Sequence, residues 1–421
     1  MFKLFGFLAR AVVTGTTTAL GAGLTSRNAD KLLKFATNIF TAAGNATVVD
    51  TILEVLQRSL EAMTQSLSGA VLIWRGIFTN GINQDTLRFI LNNLGDIFRF
   101  IYDLFKPGNV VPDYEGVNGA ENQYNELDLR LKENRQAVVH QVQRVALTLI
   151  AVLRMGRDSE LPSDLAGIDM NVRLSSDFQD GTAPPPLYVS KLAASPPNEK
   201  WLFINGIANE VVWFRRSCDK IRDRFKRQVT GVYNRSDGIL WDFIECCGER
   251  GVADESNVLI QRTESSKRAQ EALEGELRQA LWAVDAGDSY SVVVIAHSQG
   301  CLLLRLALQT LVQETAENSQ ERRDMQRRLR LFTFGNPSVE WRAVDSEKKI
   351  RQLSEFAAVT EHFAHTSDFV ARLGVATDED SGYDRNSVFY SKEGRGHLFG
   401  AHYSLDAGAY QGGENSILLK M

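Results

Sequence analysis

Apolar positions along this chain follow two different periods, and the change between them divides it. From the N-terminus to about residue 106 the spacing is helical. Leu87, Ile90, Leu91, Leu94, Ile97, Phe98, Ile101, Leu104 and Phe105 recur at intervals of three and four, which predicts one buried stripe on a helix over Asp85 to Lys106, stopped by Pro107-Gly108. Ile52, Leu53, Leu56, Leu60 and Met63 form a second stripe. Loop texture follows from Pro107 to Asn125, and the spacing then predicts a long helix from about Glu126 to Arg157, with Val138, Val139, Val142, Val145, Ala146, Leu149 and Ile150 inward. Six prolines, among them Pro184-Pro185-Pro186 and Pro196-Pro197, mark residues 158–199 as a linker.

After Lys200 the period becomes that of strands alternating with helices. Strands are predicted at 201–206, 228–234, 291–296, 328–335 and 356–365, and helices at Ser265 to Val284 and Gln299 to Glu314. Such alternation implies a parallel sheet with helices on both faces, in which reactive residues gather outside the carboxyl ends of the strands. The expected organisation is therefore an all-helical N-terminal region over 1–106, a loop, helix and linker over 107–199, and an α/β catalytic domain over 200–421.

Composition narrows the function classes. The chain has 421 residues, 44% hydrophobic and 24% charged, which is globular, and its net charge of −5 gives no reason to expect a nucleic-acid partner. Cys218, Cys246, Cys247 and Cys301 lack paired metal-ligand spacing, so neither a metal site nor a disulfide framework is expected, and a reducing, intracellular compartment fits. Residues 1–110 are mildly basic, with ten Lys/Arg against seven Asp/Glu. Their amphipathic stripes leave two readings open: packing against one another or the catalytic domain, which is favoured, or peripheral contact with an anionic membrane. Met1 to Arg27 carries three cations and no acid, as a transit-like or interfacial segment would, while Ala11 to Leu24 is too short and too rich in Thr and Gly to span a bilayer.

One stretch points to chemistry. In SVVVIAHSQGCLLL (291–304) four β-branched residues, Val292 to Ile295, run into Ala296-His297-Ser298-Gln299-Gly300 and then into a helix-like apolar segment. A nucleophile elbow has this layout: a strand turns sharply into a helix and lifts one serine hydroxyl above the sheet edge. Small residues must flank the turn, and Ala296 and Gly300 do. Ser-x-Gly after a strand is also ordinary punctuation, so Ser298 needs partners. A serine hydroxyl requires a base, and the base an orienting acid, in the chain order Ser, Asp or Glu, His for this fold.

Six histidines make elimination possible. His140 lies in the N-terminal part, His297 adjoins the serine, and His362 and His365 precede the best acid; only His397 and His402 come late enough. Asp368, on the turn after the strand ending at His365, is the chosen acid, because Asp378 and Asp380 fall in an acidic loop. Of the two histidines in GHLFGAHYSLD, His402 is favoured as base and His397 is the alternative. Two backbone N–H groups must receive the oxyanion: Gln299, next to the serine, and the Asn205-Gly206-Ile207 turn, where Gly206 and Ile207 end the strand WLFI.

These residues resemble the fungal lipase-like α/β-hydrolases. The resemblance covers about residues 201–410 and rests on six motifs in order: WLFINGIANE (201–210), GVYNRSDGILWDFIECCGER (231–250), IAHSQG, FTFGNPS (332–338), EHFAHTSDFVARLGV (361–375) and GHLFGAHYSLD (396–406). It implies an α/β-hydrolase fold with Ser298 as nucleophile, Asp368 as acid and a histidine within GHLFGAHY as base. Asn234, Arg235, Asp242 and Glu245 form a signature whose expected role is bracing near the site. Cys301 and His365-Thr366-Ser367 depart from the usual pattern. The expected activity is hydrolysis of an apolar or lipid ester, lipase- or esterase-like and without a cofactor; a thioesterase or amidase, or a non-catalytic scaffold, is the alternative.

Overall fold

The computed structural model describes residue 103 and residues 106–112, 122–138, 141, 184–194, 196, 198–235, 264–282, 290–377 and 382–421. The expected helices of residues 1–106 lie outside these, apart from residues 103 and 106, as do His140, Asp242, Glu245, Asp378 and Asp380. Among the described residues no helix is long and apolar enough to cross a membrane.

Among the described residues seven strands form one mostly parallel sheet. They are β1 (Leu187–Ser190), β2 (Glu199–Ile204), β3 (Val229–Val232), β4 (Ser291–His297), β5 (Leu329–Phe334), β8 (Val359–Ala364) and β9 (Val388–Tyr390), in the spatial order β1-β3-β2-β4-β5-β8-β9. Only β1 runs antiparallel, paired with β3. A small antiparallel pair, β6 (Arg342–Val344) with β7 (Ile350–Gln352), stands apart. Helices α1 (Val211–Phe225), α2 (Glu264–Trp282), α3 (Gln299–Glu314), α4 (Gln320–Arg328) and α5 (Phe369–Leu373) connect or follow the strands. The protein is an α/β protein built on this mixed sheet.

Burial explains why the strand sequences read as continuous apolar runs rather than alternating ones: both faces are covered. Every residue of β4 is buried. Trp201, Phe203, Val293, Ile295, Phe332, Phe334 and Phe363 face a core shared with Phe214, Ile221 and Phe225 of α1 and with Phe399, Tyr403, Leu405 and Tyr410 of the C-terminal segment. The alternate residues Leu202, Ile204, Val292, Val294 and Ala296 are equally buried on the other face.

The strand order reverses at β2. From β2 the chain passes through α1 to β3 on one side, and from β3 it crosses through α2 to β4 on the other. Crossovers in opposite directions place α1 and α2 on opposite faces, and the turns after β2 and β4 meet at this switch point of the sheet. Both turns carry candidate residues.

Two sequence expectations change. Residues 187–190, inside the predicted linker, form an edge strand, because Leu187 to Ser190 pair along their length with β3. The helix predicted from Glu126 is a run of turns up to residue 131, with residues 132–138 helical. Asn122 Oδ1 accepts from Tyr124 N and Asn125 Oδ1 from Leu127 N, each at 2.9 Å, and these side-chain bonds compete with a helix. Residues 106–112 and 122–127 belong to the same compact unit as the sheet, and residues 128–138 to a second.

Candidate functional site

Ser298 sits between β4 and α3 with φ 57° and ψ −128°, left-handed backbone that a side chain rarely adopts. Such strain costs about 1–3 kcal/mol, of the order that burying one large aliphatic side chain returns. Two hydrogen bonds hold the turn: Ser298 N donates to Phe334 O at 2.9 Å, and Cys301 N donates to Ser298 O at 2.8 Å. Close approach explains the neighbouring glycines. A Cβ on Gly300 would stand 2.6 Å from Ile204 O and 2.7 Å from Asn205 O, and one on Gly206 would overlap Ser298 Cβ.

His397, and not the favoured His402, is the histidine brought to the serine. His397 Nε2 lies 2.8 Å from Ser298 Oγ, and its Nδ1 lies 2.7 Å from Asp368 Oδ2. The carboxylate demands a proton on Nδ1, which leaves Nε2 as the acceptor for the serine hydroxyl. Asp368 is the N-cap of α5: its Oδ1 accepts from Val370 N at 2.9 Å, and Oδ2 also accepts from the Tyr403 hydroxyl at 2.7 Å. Ser298 and Asp368 are fully buried, and His397 is 2% exposed.

His402 is turned to another task. Its Nδ1 accepts from Leu398 N at 3.0 Å, closing the turn that carries His397. Sequence order cannot separate two histidines five residues apart on one loop; their side chains diverge only once that loop is folded. Burial lowers the His402 pKa to about 3, so it stays neutral. Burial likewise lowers His365 to about 4 and holds His297 well below its ordinary value. His365 Nδ1 donates to Gly396 O at 3.0 Å and its ring stacks on Tyr403, while His297 Nε2 donates to His397 O at 2.7 Å. Both neutral rings thus support the backbone on either side of His397.

The predicted oxyanion residues flank the serine. Gln299 opens α3 immediately after it, and Gly206 packs against it from the turn after β2. Ile207 is buried in that same turn. An asparagine pair braces the two turns: sequence reading expected Asn234 to brace near the site but did not pair it with Asn205. Asn205 Nδ2 donates to Asn234 O at 2.7 Å, Asn234 N donates back to Asn205 Oδ1 at 2.8 Å, and Asn234 Nδ2 donates to Gln299 Oε1 at 2.7 Å. The ends of β2, β3 and β4 are thereby tied together beside Ser298. Polar residues at the carboxyl ends of two neighbouring strands were the signal that pointed there.

Lys220 was outside the sequence reading. Lys220 is fully buried on α1, and Tyr403 is fully buried beside Asp368. No protein-family model, curated protein or solved structure matches the chain.

Proposed function

We propose that this protein is a serine hydrolase of the α/β-hydrolase fold that cleaves carboxylic esters through an acyl-enzyme intermediate. One observation carries the reading: Ser298 Oγ, His397 and Asp368 are joined by hydrogen bonds of 2.8 Å and 2.7 Å, with the serine on a strained strand-to-helix turn. The arrangement has the roles of nucleophile, base and orienting acid, each within hydrogen-bond reach of the next.

In the proposed reaction His397 Nε2 takes the Ser298 proton as Oγ attacks the ester carbonyl. Asp368 keeps the imidazole in the required tautomer and stabilises the imidazolium. The oxyanion is received by the backbone N–H of Gln299 and by the Gly206-Ile207 turn. Return of the proton to the leaving alkoxide releases the alcohol and leaves the acyl group on Ser298. Water, deprotonated by His397, then attacks the acyl carbonyl and frees the acid. The resemblance to fungal lipase-like hydrolases, borne by six ordered motifs, supports an apolar or lipid acyl group; membership of that family is part of the proposal.

A fluorophosphonate probe tests it directly. Wild-type protein is expected to acquire one covalent label on Ser298, and Ser298→Ala none. Folded wild type that carries no Ser298-dependent label overturns the proposal, and matched ester, thioester and amide substrates identify the leaving group.

A further inference from the structure

The loop over 396–403 carries His397 yet contains only turns, so something else must hold it. Two buried charges do. Lys220 Nζ, from α1, donates to Phe399 O at 2.7 Å, Gly400 O at 3.0 Å and Tyr403 O at 2.6 Å. Glu126, from the stretch preceding the sheet, accepts from Gly400 N on Oε1 and from Ala401 N on Oε2, each at 2.7 Å. The cation thus holds carbonyls and the anion holds N–H groups of the same few peptides. Neighbours of Glu126 reinforce it. Asn122 Nδ2 donates to Gly400 O at 2.9 Å, Val111 N donates to Ala401 O at 2.8 Å, and the Tyr124 hydroxyl donates to Asp223 Oδ2 on α1 at 2.8 Å.

Keeping both charges out of water is expensive, and an apolar filling would serve packing alone equally well. Burial pushes the Glu126 pKa up, opposed by the backbone N–H groups and by Lys220. What the pair supplies that apolar side chains cannot is direction: it fixes the peptide dipoles two to six residues after His397. We infer that Lys220 and Glu126 are positioning residues for His397, and that residues 107–112 and 122–127, though upstream of every described strand, are a working part of the hydrolase unit. The inference rests on the serine-hydrolase reading.

Full-length Lys220→Met and Glu126→Gln keep side-chain size and remove the charge. Three quantities are measured on each: the rate of Ser298 labelling by fluorophosphonate, kcat and KM on a p-nitrophenyl ester, and amide hydrogen exchange over residues 396–405. Labelling rate and kcat should fall about 10- to 100-fold, since a misplacement of about 1 Å costs about that factor, with KM changed less than about twofold. Exchange in the loop should quicken while β4 and β5 stay protected, and the double variant should lose little more than the worse single one, because both charges hold one loop. Leu277→Ala in α2, buried far along the chain from this loop, serves as the control for general destabilisation and should retain kcat. If a charge variant fails to fold, Asn122→Ala carries the test with a smaller change of the same sign.

Faster loop exchange with wild-type labelling overturns the positioning role, and so does unchanged exchange in both charge variants. A loss of kcat matched by Leu277→Ala at equal stability does the same. Failure of the hydrolase reading is distinct: wild type itself then goes unlabelled, and the catalytic role of the two charges falls with it.

Discussion

The Tyr403 hydroxyl donates to Asp368 Oδ2 at 2.7 Å, on the same oxygen that receives His397 Nδ1. One carboxylate oxygen therefore anchors both the imidazole and a ring from the far end of the loop that carries His397. Burial, with the adjacent carboxylate, raises the Tyr403 pKa well above its ordinary value, so it remains a donor. Hydrogen bonds to charged groups contribute about 1.5–3 kcal/mol, or about 10- to 150-fold in rate when the bond orients a catalytic group. Tyr403→Phe is expected to lower kcat by that factor with little change in KM. An equal kcat for the variant would show that Asp368 holds His397 unaided.

The two candidate histidines should separate cleanly in activity. His397→Ala removes the proposed base and is expected to cost about 10⁴-fold or more in kcat. His402→Ala removes a buried acceptor from Leu398 N, which costs about 1–3 kcal/mol of stability, and a far smaller share of activity. Ester hydrolysis by the two variants at matched folded concentration decides it; a larger loss from His402→Ala would reverse the assignment.

Close packing beneath the serine predicts a steric effect. A Cβ at position 300 would meet two backbone carbonyls, neither of which can yield without moving β2. Gly300→Ala should destabilise by about 1–3 kcal/mol, typical of overpacking, and slow Ser298 labelling, both read from urea melts and probe kinetics. Unaltered labelling would mean that the turn tolerates a shift of its first helical residues.

Acid sensitivity should exceed what carboxylates alone produce. His362, His365 and His402 are lowered by burial to about 3, 4 and 3 from an ordinary value of 6.5. Above pH 6.5 they are neutral in both folded and unfolded chains and contribute no pH dependence. Below it the unfolded chain takes up protons that the folded one refuses, so stability falls with pH down to about 3–4. The slope is about 1.4 kcal/mol per pH unit for each such histidine. Unfolding free energies at pH 7 and pH 5 should differ accordingly, and His362→Gln should flatten the dependence. A stability profile level between pH 7 and pH 5 would contradict the buried, neutral state of these rings.

Much of the α/β half was legible in advance because its signals are local. The β-branched run of β4 and the apolar spacing of α3 lie next to one another in sequence, and the predicted bounds of 291–296 and 299–314 meet the observed Ser291–His297 and Gln299–Glu314 within one residue. β1 was not legible: Leu187–Ser190 follows three prolines, and its strand character comes only from pairing with β3, about forty residues away. Nor was the turn run at 126–131, where the Asn125 side chain takes the Leu127 N–H that helical spacing would otherwise claim.

The same division holds at the site. Sequence alone singled out Ser298 and Asp368, since an elbow and a turn aspartate are short local patterns, and it reduced their histidine partner to two by chain order. Tertiary structure alone decided between them. His397 and His402 share a loop and a composition, and only the fold, with Lys220, Glu126 and Asp368 meeting from distant parts of the chain, aims one ring at the serine and the other at its own backbone. Hydrogen-bond direction is a property of assembled geometry, and no spacing along the chain encodes it.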